Sequence, residues 1–225
     1  LKKIGSNTLF SDYVYQDAKK SDAMSYNLSQ GGLGLPEREY YFKTDSATIN
    51  IRNEYVKYIT QILTMAGEDA TVAATAAKNI LALETKLATA SRKIEDLRDP
   101  YKNYNKMAIT DLGKMAGNID WVSYLKNTGV QKVDSVIVGQ PEFFIALNDA
   151  LTKTPISDWK QYVRFNLIRD MTPVLPDNYG VANFNFTKLF SGAKQRKPRW
   201  KSAIQMEEDA MGEMLGQLYV KEFFN

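Results

Sequence analysis

Two blocks of apolar residues with helical spacing, between residues 45 and 90, restrict the fold more than any other feature of this sequence. Within each block the apolar side chains recur every three or four positions, which places them on one face of a helix. They are Ile51, Tyr55, Tyr58, Ile62 and Met65 in the first block, and Val72, Ala76, Ile80, Leu83 and Leu87 in the second. Asp45 or Ser46 can cap the first helix and Gly67 can end it. The sequence therefore predicts an antiparallel helix pair with its turn at residues 66–69.

Further helices are expected after this pair. Segment 94–107 should be irregular because Pro100 interrupts it, but Pro141 suits the first turn of another helix. One more helix is expected near residue 157, and the last should run from about residue 198 to 223. The apolar positions of this last helix are Trp200, Ile204, Met211, Leu215 and Leu218. Because no β-α-β alternation occurs, the predicted fold class is mainly α, a multi-helix domain with irregular connections.

The beginning of the chain differs from the rest. Short segments of mixed polarity around Phe10–Tyr15 and Met24–Leu28 flank the turn-prone sequence DAKKSD, and this pattern indicates a small β-hairpin. We therefore predict two parts. Residues 1–44 hold the hairpin and a glycine-rich turn, and residues 45–225 form one helical domain.

The glycine-rich turn, QGGLGLPEREYYF at residues 30–42, has the glycines of a phosphate loop but not the rest of such a motif. Counted from Gly32, the dinucleotide fingerprint requires a glycine where Glu37 stands, and no Gly-Lys-Ser/Thr of a P-loop occurs in the chain. The glycines permit positive φ angles, and Pro36 disfavours a helical residue before it. The stretch is therefore predicted to shape the backbone.

The chain contains no histidine and no cysteine. Their absence excludes the usual zinc sites and the catalytic triads that use histidine. Carboxylate sites for Mg²⁺ or Ca²⁺ stay open, although no Asp-x-Asp-x-Asp-Gly loop is present. We assign no catalytic residue, no metal ligand and no cofactor to this chain. Glu84 with Arg92, and Asp96 with Arg98, are candidate ion pairs.

The formal net charge of +3 is too small to indicate nucleic-acid binding. One basic stretch, KQRKPRWK at residues 194–201, could grip phosphates and stack a base on Trp200. The acidic residues that follow, Glu207, Glu208 and Asp209, favour instead a solvated loop that runs into a helix, with Trp200 in the core. We predict no nucleic-acid partner.

Four stretches taken together resemble one family. They are GLGLPEREYY at 32–41, YNKM at 104–107, PRWK at 198–201, and GxLYV with a following aromatic pair at 216–224. Their order and spacing are similar to those of the neprilysin and endothelin-converting-enzyme family of zinc metallopeptidases, over residues 10–225. The resemblance marks as structural positions of the family motifs Gly32, Gly34, Leu35, Pro36, Tyr40, Tyr41, Tyr104, Asn105, Arg199, Trp200, Leu218 and Tyr219.

The resemblance implies a helical domain that covers a catalytic lobe like a lid and admits only small peptides. In the family the His-Glu-x-x-His zinc motif lies downstream of the Leu-Tyr-Val segment, and a chain without histidine cannot hold it. We therefore expect a fragment of a longer zinc metalloendopeptidase. Zinc and peptide substrates would belong to the parent, and the C-terminal catalytic lobe would be the partner.

The resemblance also implies a location outside the cytoplasm, in the cell envelope, the periplasm or the medium, with any membrane anchor outside this chain. The lack of cysteine departs from the disulfide-rich animal members and suggests a bacterial one. The alternative is a free-standing helical module that binds peptides or proteins without enzymatic activity. A catalytic region after Asn225, or a stop there, would distinguish the two.

Overall fold

The computed structural model describes residues 6, 9–130 and 133–224. Over these residues the protein is mainly α, with eight α-helices and one four-stranded sheet, which confirms the predicted fold class. The chain divides into two compact units, residues 1–171 and 172–225. The division at residues 44 and 45 expected from the sequence stays a prediction.

The elements follow in chain order, and the described residues also form two short 3-10 helices, Arg38–Tyr41 and Asp96–Arg98. The strands are β1 (Phe10–Asp17), β2 (Lys20–Gln30), β3 (Asn105–Ala108) and β4 (Ser135–Val138). The helices of the first unit are α1 (Ser46–Met65), α2 (Ala70–Ala90), α3 (Ile109–Met115), α4 (Trp121–Asn127), α5 (Pro141–Lys153) and α6 (Ile156–Asp170). Those of the second unit are α7 (Asp177–Ser191) and α8 (Arg199–Phe223).

The sheet has the strand order β1-β2-β4-β3. β1 and β2 pair antiparallel, with Phe10 opposite Gln30 and Tyr15 opposite Ser25, which confirms the predicted hairpin. β2 pairs parallel with β4, and β4 pairs antiparallel with β3. The expectation of irregular structure over 94–107 was therefore wrong at Asn105–Met107, which belong to β3. This strand of four residues is too short to show an alternation of its own, and its pairing with β4 is a tertiary event.

The predicted helix pair is present as α1 and α2. The Asp45 carboxylate accepts a hydrogen bond from the Thr48 N–H and caps α1, and Asp69 caps α2 in the same way. Gly67 ends the first helix with a φ of +90°, a conformation that glycine adopts without strain. Most of the predicted stripe residues are in the core, with Tyr55, Tyr58, Ile62, Ala76, Ile80, Leu83 and Leu87 buried, but Val72 at the start of α2 is 47% exposed.

Two groups of aromatic rings fill the core of the first unit. Phe10 of β1 packs against Trp121 of α4 and Phe144 of α5, with ring centroids 5.6 and 5.5 Å away. Phe165 of α6 packs edge-on against Tyr58 of α1 at 5.8 Å. The first group fixes the sheet on α4 and α5, and the second fixes α6 on the helix pair.

The second unit departs from the sequence predictions in two places. Helix α7 was not predicted from the sequence. Pro176 directly precedes its first residue, where its missing N–H has no cost. Trp200 was expected in the core, but 61% of its surface is exposed. Helix α8 is kinked at Met211, whose φ of −138° and ψ of 26° are not helical, and none of its residues is buried. The apolar spacing therefore predicted a helix here but neither its kink nor its exposure.

Candidate functional site

The GLGLP loop, residues 32–36, joins the sheet to the helices and is shaped by its glycines. Gly32 has a φ of +77°, and a Cβ there would lie 2.8 Å from the Leu9 carbonyl oxygen. The Gly32 carbonyl accepts a hydrogen bond of 2.7 Å from the Tyr162 hydroxyl. Gly34 needs no special φ, but its Cβ would lie 1.7 Å from the Tyr55 hydroxyl. Gly32 is therefore required both by its positive φ and by space, whereas Gly34 is required by space alone.

Tyr41 fastens this loop from the 3-10 helix that follows it. The buried Tyr41 hydroxyl accepts hydrogen bonds from the N–H groups of Gly34 (3.1 Å) and Leu35 (3.0 Å). It donates to Glu84 Oε2 at 2.7 Å. Of the other motif residues here, Leu35 is buried, Pro36 is exposed, and the Tyr40 carbonyl accepts a 2.7 Å hydrogen bond from Arg52.

Glu84, in the middle of α2, is the buried carboxyl on which these contacts converge. Its Oε1 accepts a hydrogen bond of 2.9 Å from the Tyr55 hydroxyl. Burial raises the pKa of Glu84 to about 7, although the Tyr41 hydrogen bond, the Arg169 charge and the Tyr55 hydrogen bond act in the opposite direction. The candidate pair of Glu84 with Arg92 was wrong, because Arg92 pairs with Glu142 at the start of α5.

The YNKM motif binds the turn end of the β1–β2 hairpin through Asp17, the last residue of β1. The Tyr104 hydroxyl and Lys106 Nζ each donate to the Asp17 carboxylate at 2.8 Å. Asp17 is 2% exposed, and the hydrogen bonds from Lys106, the Lys19 N–H and Tyr104 lower its pKa to about 2. The Asn105 amide donates to the backbone carbonyl of Val138, at 3.0 Å.

Sequence reasoning missed Asp17 and Arg169. Asp17 lies in the turn-prone DAKKSD stretch, where an aspartate is common for local reasons. Its partner Lys106 is 89 positions away in the chain. No pattern in the sequence connects the two residues.

The motif residues of α8 lie on its surface. Leu218 and Tyr219 are 61% and 57% exposed, and the Tyr219 ring contacts Phe223, with 5.0 Å between centroids. Arg199 has one long hydrogen bond, 3.5 Å, to the Leu175 carbonyl. We name as the α8 apolar surface the large exposed apolar side chains of this segment: Trp200, Ile204, Met206, Met211, Met214, Leu218, Tyr219, Val220, Phe223 and Phe224.

The basic stretch borders a cavity of 380 Å³ in the second unit. Arg196, Lys197 and Arg199 line this cavity, but Asp177 and Asp209 line it as well. Arg196 forms an ion pair with Asp177. The mixture of charges does not single out an anionic ligand.

The residues present do not fit a zinc site. Histidine and cysteine are absent from the whole sequence. Within residues 6, 9–130 and 133–224, no three histidine, cysteine, aspartate or glutamate residues are grouped so that they could hold a metal ion. In the same part of the chain no helix has both the length and the hydropathy of a membrane-spanning segment.

A comparison with protein families decides the identity of the chain, because the model described as peptidase family M13 matches residues 1–225. The chain belongs to peptidase family M13. This confirms the resemblance found in the sequence motifs. The match is to the N-terminal domain of these zinc metallopeptidases.

Relatives of this M13 domain include the endothelin-converting enzyme 1 of Cavia porcellus, 28% identical over 97% of the chain. Neprilysin-3 of Drosophila melanogaster is 24% identical over 99% of it. The chain spans about 30% of the length of both relatives.

Solved structures share the fold. The zinc metalloprotease Zmp1 of Mycobacterium tuberculosis in its open state matches all of the chain, with a TM-score of 0.93 and 29% identity, over 35% of its own length. PepO of Lactobacillus rhamnosis is similar in fold alone, with a TM-score of 0.83 at 18% identity over 36% of its length.

Proposed function

We propose that this chain is the non-catalytic helical domain of a zinc metalloendopeptidase and restricts the access of peptide substrates to an active site carried elsewhere in the same polypeptide. The observation that carries the proposal is the family match over residues 1–225 of a sequence without histidine. The hydrolytic residues and the zinc then belong to another part of the polypeptide. The role of this chain is then to limit by its shape which peptides reach the active site.

The α8 apolar surface supports a catalytic lobe as the partner. A helix with no buried residue and nine large exposed apolar side chains, followed directly by the exposed Phe224, is unusual for a surface that faces water. The relatives are much longer than the region they share with this chain, so each has a large remainder of the same polypeptide. We propose that the α8 apolar surface contacts the corresponding remainder of this protein's own polypeptide, the catalytic lobe.

A domain that restricts access must be rigid, and the aromatic packing of the first unit supports such rigidity. Aromatic rings pack the sheet onto α4 and α5, while α6 packs onto the helix pair. A rigid cover excludes folded proteins by shape while extended peptides can enter. The peptides handled by the parent would therefore be short or flexible.

Size discrimination in the longer parent polypeptide tests the proposal. One cleavable sequence would be presented as a free peptide and as a loop in a folded carrier, with the same sequence on an unfolded carrier as the control. We expect the free peptide and the unfolded carrier to be cut and the folded carrier to be spared. Equal cleavage of all three would overturn the access role.

The catalytic assignment has a separate test. The 225-residue chain alone should bind no zinc and cleave no peptide. The parent should contain about one zinc per polypeptide, as expected for a single catalytic site. Chelator-sensitive cleavage by the purified chain alone would contradict the proposal.

The free-standing binding module is the second candidate, and the α8 apolar surface favours it as well. A native polypeptide without zinc and without a peptidase region would place this candidate first.

We also propose a bacterial source and a location outside the cytoplasm, by analogy with the family. Fractionation of the source cells tests the location, and recovery of the native protein with the cytoplasm would contradict it.

A further inference from the structure

The carboxyl group of Glu84 has no part in the proposed function, yet it is among the most enclosed polar groups of the described residues. It is 0% exposed. Its carboxyl oxygens accept hydrogen bonds from the hydroxyls of Tyr41 at 2.7 Å and of Tyr55 at 2.9 Å. Through Tyr41 it is connected to the backbone N–H groups of Gly34 and Leu35. One side chain therefore links α1, α2, the first 3-10 helix and the GLGLP loop.

Several charged and titratable groups face this carboxyl from the elements around it. Tyr41 comes from the 3-10 helix and Tyr55 from α1, while α6 contributes Tyr162 and the Arg169 guanidinium. Arg169 is in turn paired with Asp170 on the same helix, at 3.3 Å. Tyr58 of α1 lies near enough to Arg169 and Asp170 for their charges to act on the pKa of its hydroxyl.

Among these groups, Glu84 is the one with a pKa near neutral pH. Burial raises the pKa values of Tyr41, Tyr55 and Tyr162 well above the ordinary tyrosine range, so their hydroxyls keep their protons. The pKa of Arg169 is raised by nearby tyrosine and carboxylate groups despite its burial, so the guanidinium keeps its charge. Burial raises the pKa of Glu84 to about 7, from an ordinary value of 4.5.

The GLGLP loop has room to move. A cavity of 340 Å³ borders it and is lined by Gly32, Leu35 and Pro36 among other residues. Tyr41 and Glu84 do not line this cavity. The loop thus has open space on one side and the buried carboxyl cluster on another.

We propose that Glu84 is a proton-sensitive latch on the GLGLP loop, which is held closed when the carboxyl is protonated and opens more often when the buried carboxyl must carry a charge. This inference goes beyond the proposed function and does not depend on peptidase activity. It concerns local opening of one loop, which can occur without global unfolding.

The direction follows from proton linkage. The closed state binds the Glu84 proton more tightly than an open, hydrated state does, so a rise in pH favours opening. With a pKa of about 7 in the closed state and 4.5 in the open one, the opening equilibrium increases roughly 70-fold between pH 5 and pH 8.

Amide hydrogen exchange over residues 31–41 measures this opening, in the chain alone or within a longer polypeptide. Rates are divided by the intrinsic exchange rate at each pH, which gives protection factors. We expect the protection factors of Gly34 and Leu35 to fall roughly 70-fold from pH 5 to pH 8, as the linkage relation predicts. In Glu84→Gln, which keeps the shape without the charge, they should be independent of pH.

Glu54→Gln is the matched control, because Glu54 lies on the solvent side of α1 and pairs with Lys57. This variant should behave as the unchanged protein does. Selective ¹³C labelling of the glutamate carboxyl carbons supplies a second measurement that does not require the variant to fold. A Glu84 carboxyl that titrates below pH 5, or an equal pH dependence of protection in Glu84→Gln, would overturn the proposal.

Discussion

A Cβ atom on Gly34 would lie 1.7 Å from the hydroxyl oxygen of Tyr55. Tyr55 is completely buried and its hydroxyl donates to Glu84, so the ring cannot move aside without breaking that hydrogen bond. The second glycine of the GLGLP sequence is therefore required by packing alone, whereas Gly32 is required by its positive φ as well as by the nearby Leu9 carbonyl.

Gly34→Ala should destabilise the protein by roughly 3 kcal/mol, because the added methyl group overpacks a filled site. Chemical denaturation measures the free energy of unfolding. Gly113→Ala is the matched control, because a Cβ there meets nothing within 4 Å and the position is helical. The control should be neutral or more stable by up to about 1 kcal/mol. Equal effects of the two substitutions would contradict the packing argument.

Tyr41→Phe removes only the hydroxyl oxygen, which leaves the N–H groups of Gly34 and Leu35 and the Glu84 carboxyl without this partner. We expect a loss of roughly 3 kcal/mol in unfolding free energy, because buried polar groups without partners are costly. Tyr101→Phe, at a residue that is 83% exposed, should change it by less than about 0.5 kcal/mol. A Tyr41→Phe variant as stable as this control would show that the loop does not depend on the hydroxyl.

Asp17 should contribute stability that depends on pH. Its folded pKa of about 2 is below the ordinary 3.8, so its contribution is fully present above pH 4 and is lost as the pH falls through 2. Asp17→Asn should therefore be less stable than the unchanged protein at pH 7, and the difference should shrink between pH 4 and pH 2. Denaturation at both ends of this range measures the difference.

The control for Asp17 is Asp111→Asn, which alters an exposed carboxylate paired with Lys114 three residues away on one helix. This substitution should have little effect at any pH, because exposed ion pairs contribute little. A stability gap for Asp17→Asn that stays constant down to pH 2 would contradict the role given to Lys106 and Tyr104.

Substitution of the α8 apolar surface should alter association more than stability. Leu218→Ser combined with Phe223→Ser removes two side chains that are 61% and 69% exposed. The unfolding free energy of the isolated chain should change by less than about 0.5 kcal/mol, while binding of an apolar dye and self-association should both decrease. Light scattering and dye fluorescence give the readouts.

Lys221→Ser on the same helix controls for a general effect of surface substitution and should leave dye binding unchanged. In the longer parent polypeptide the double variant should weaken the contact assigned to this surface and increase local proteolysis. A double variant that loses stability in the isolated chain would show that α8 is packed within its own unit instead.

The elements that the sequence predicted best are those with long, regular patterns. The α1 and α2 pair was found from apolar spacing, and the cap at Asp45 and the ending at Gly67 lie where local chemistry puts them. Helix α7 was missed because prolines before a helix and prolines that break one look alike in a sequence. The strand at Asn105–Ala108 was missed because four residues carry too little pattern.

By itself the sequence determined the mainly helical class, the positions of most turns, and the absence of a histidine- or cysteine-based zinc site from this chain. Only the tertiary structure decided which distant polar groups meet, such as Glu84 with Tyr41, which are 43 positions apart. It also decided that the apolar stripe of α8 stays exposed, as at Trp200. The physical reason is that periodicity along the chain records which face of an element is apolar, whereas contact and burial depend on what the fold places against that face.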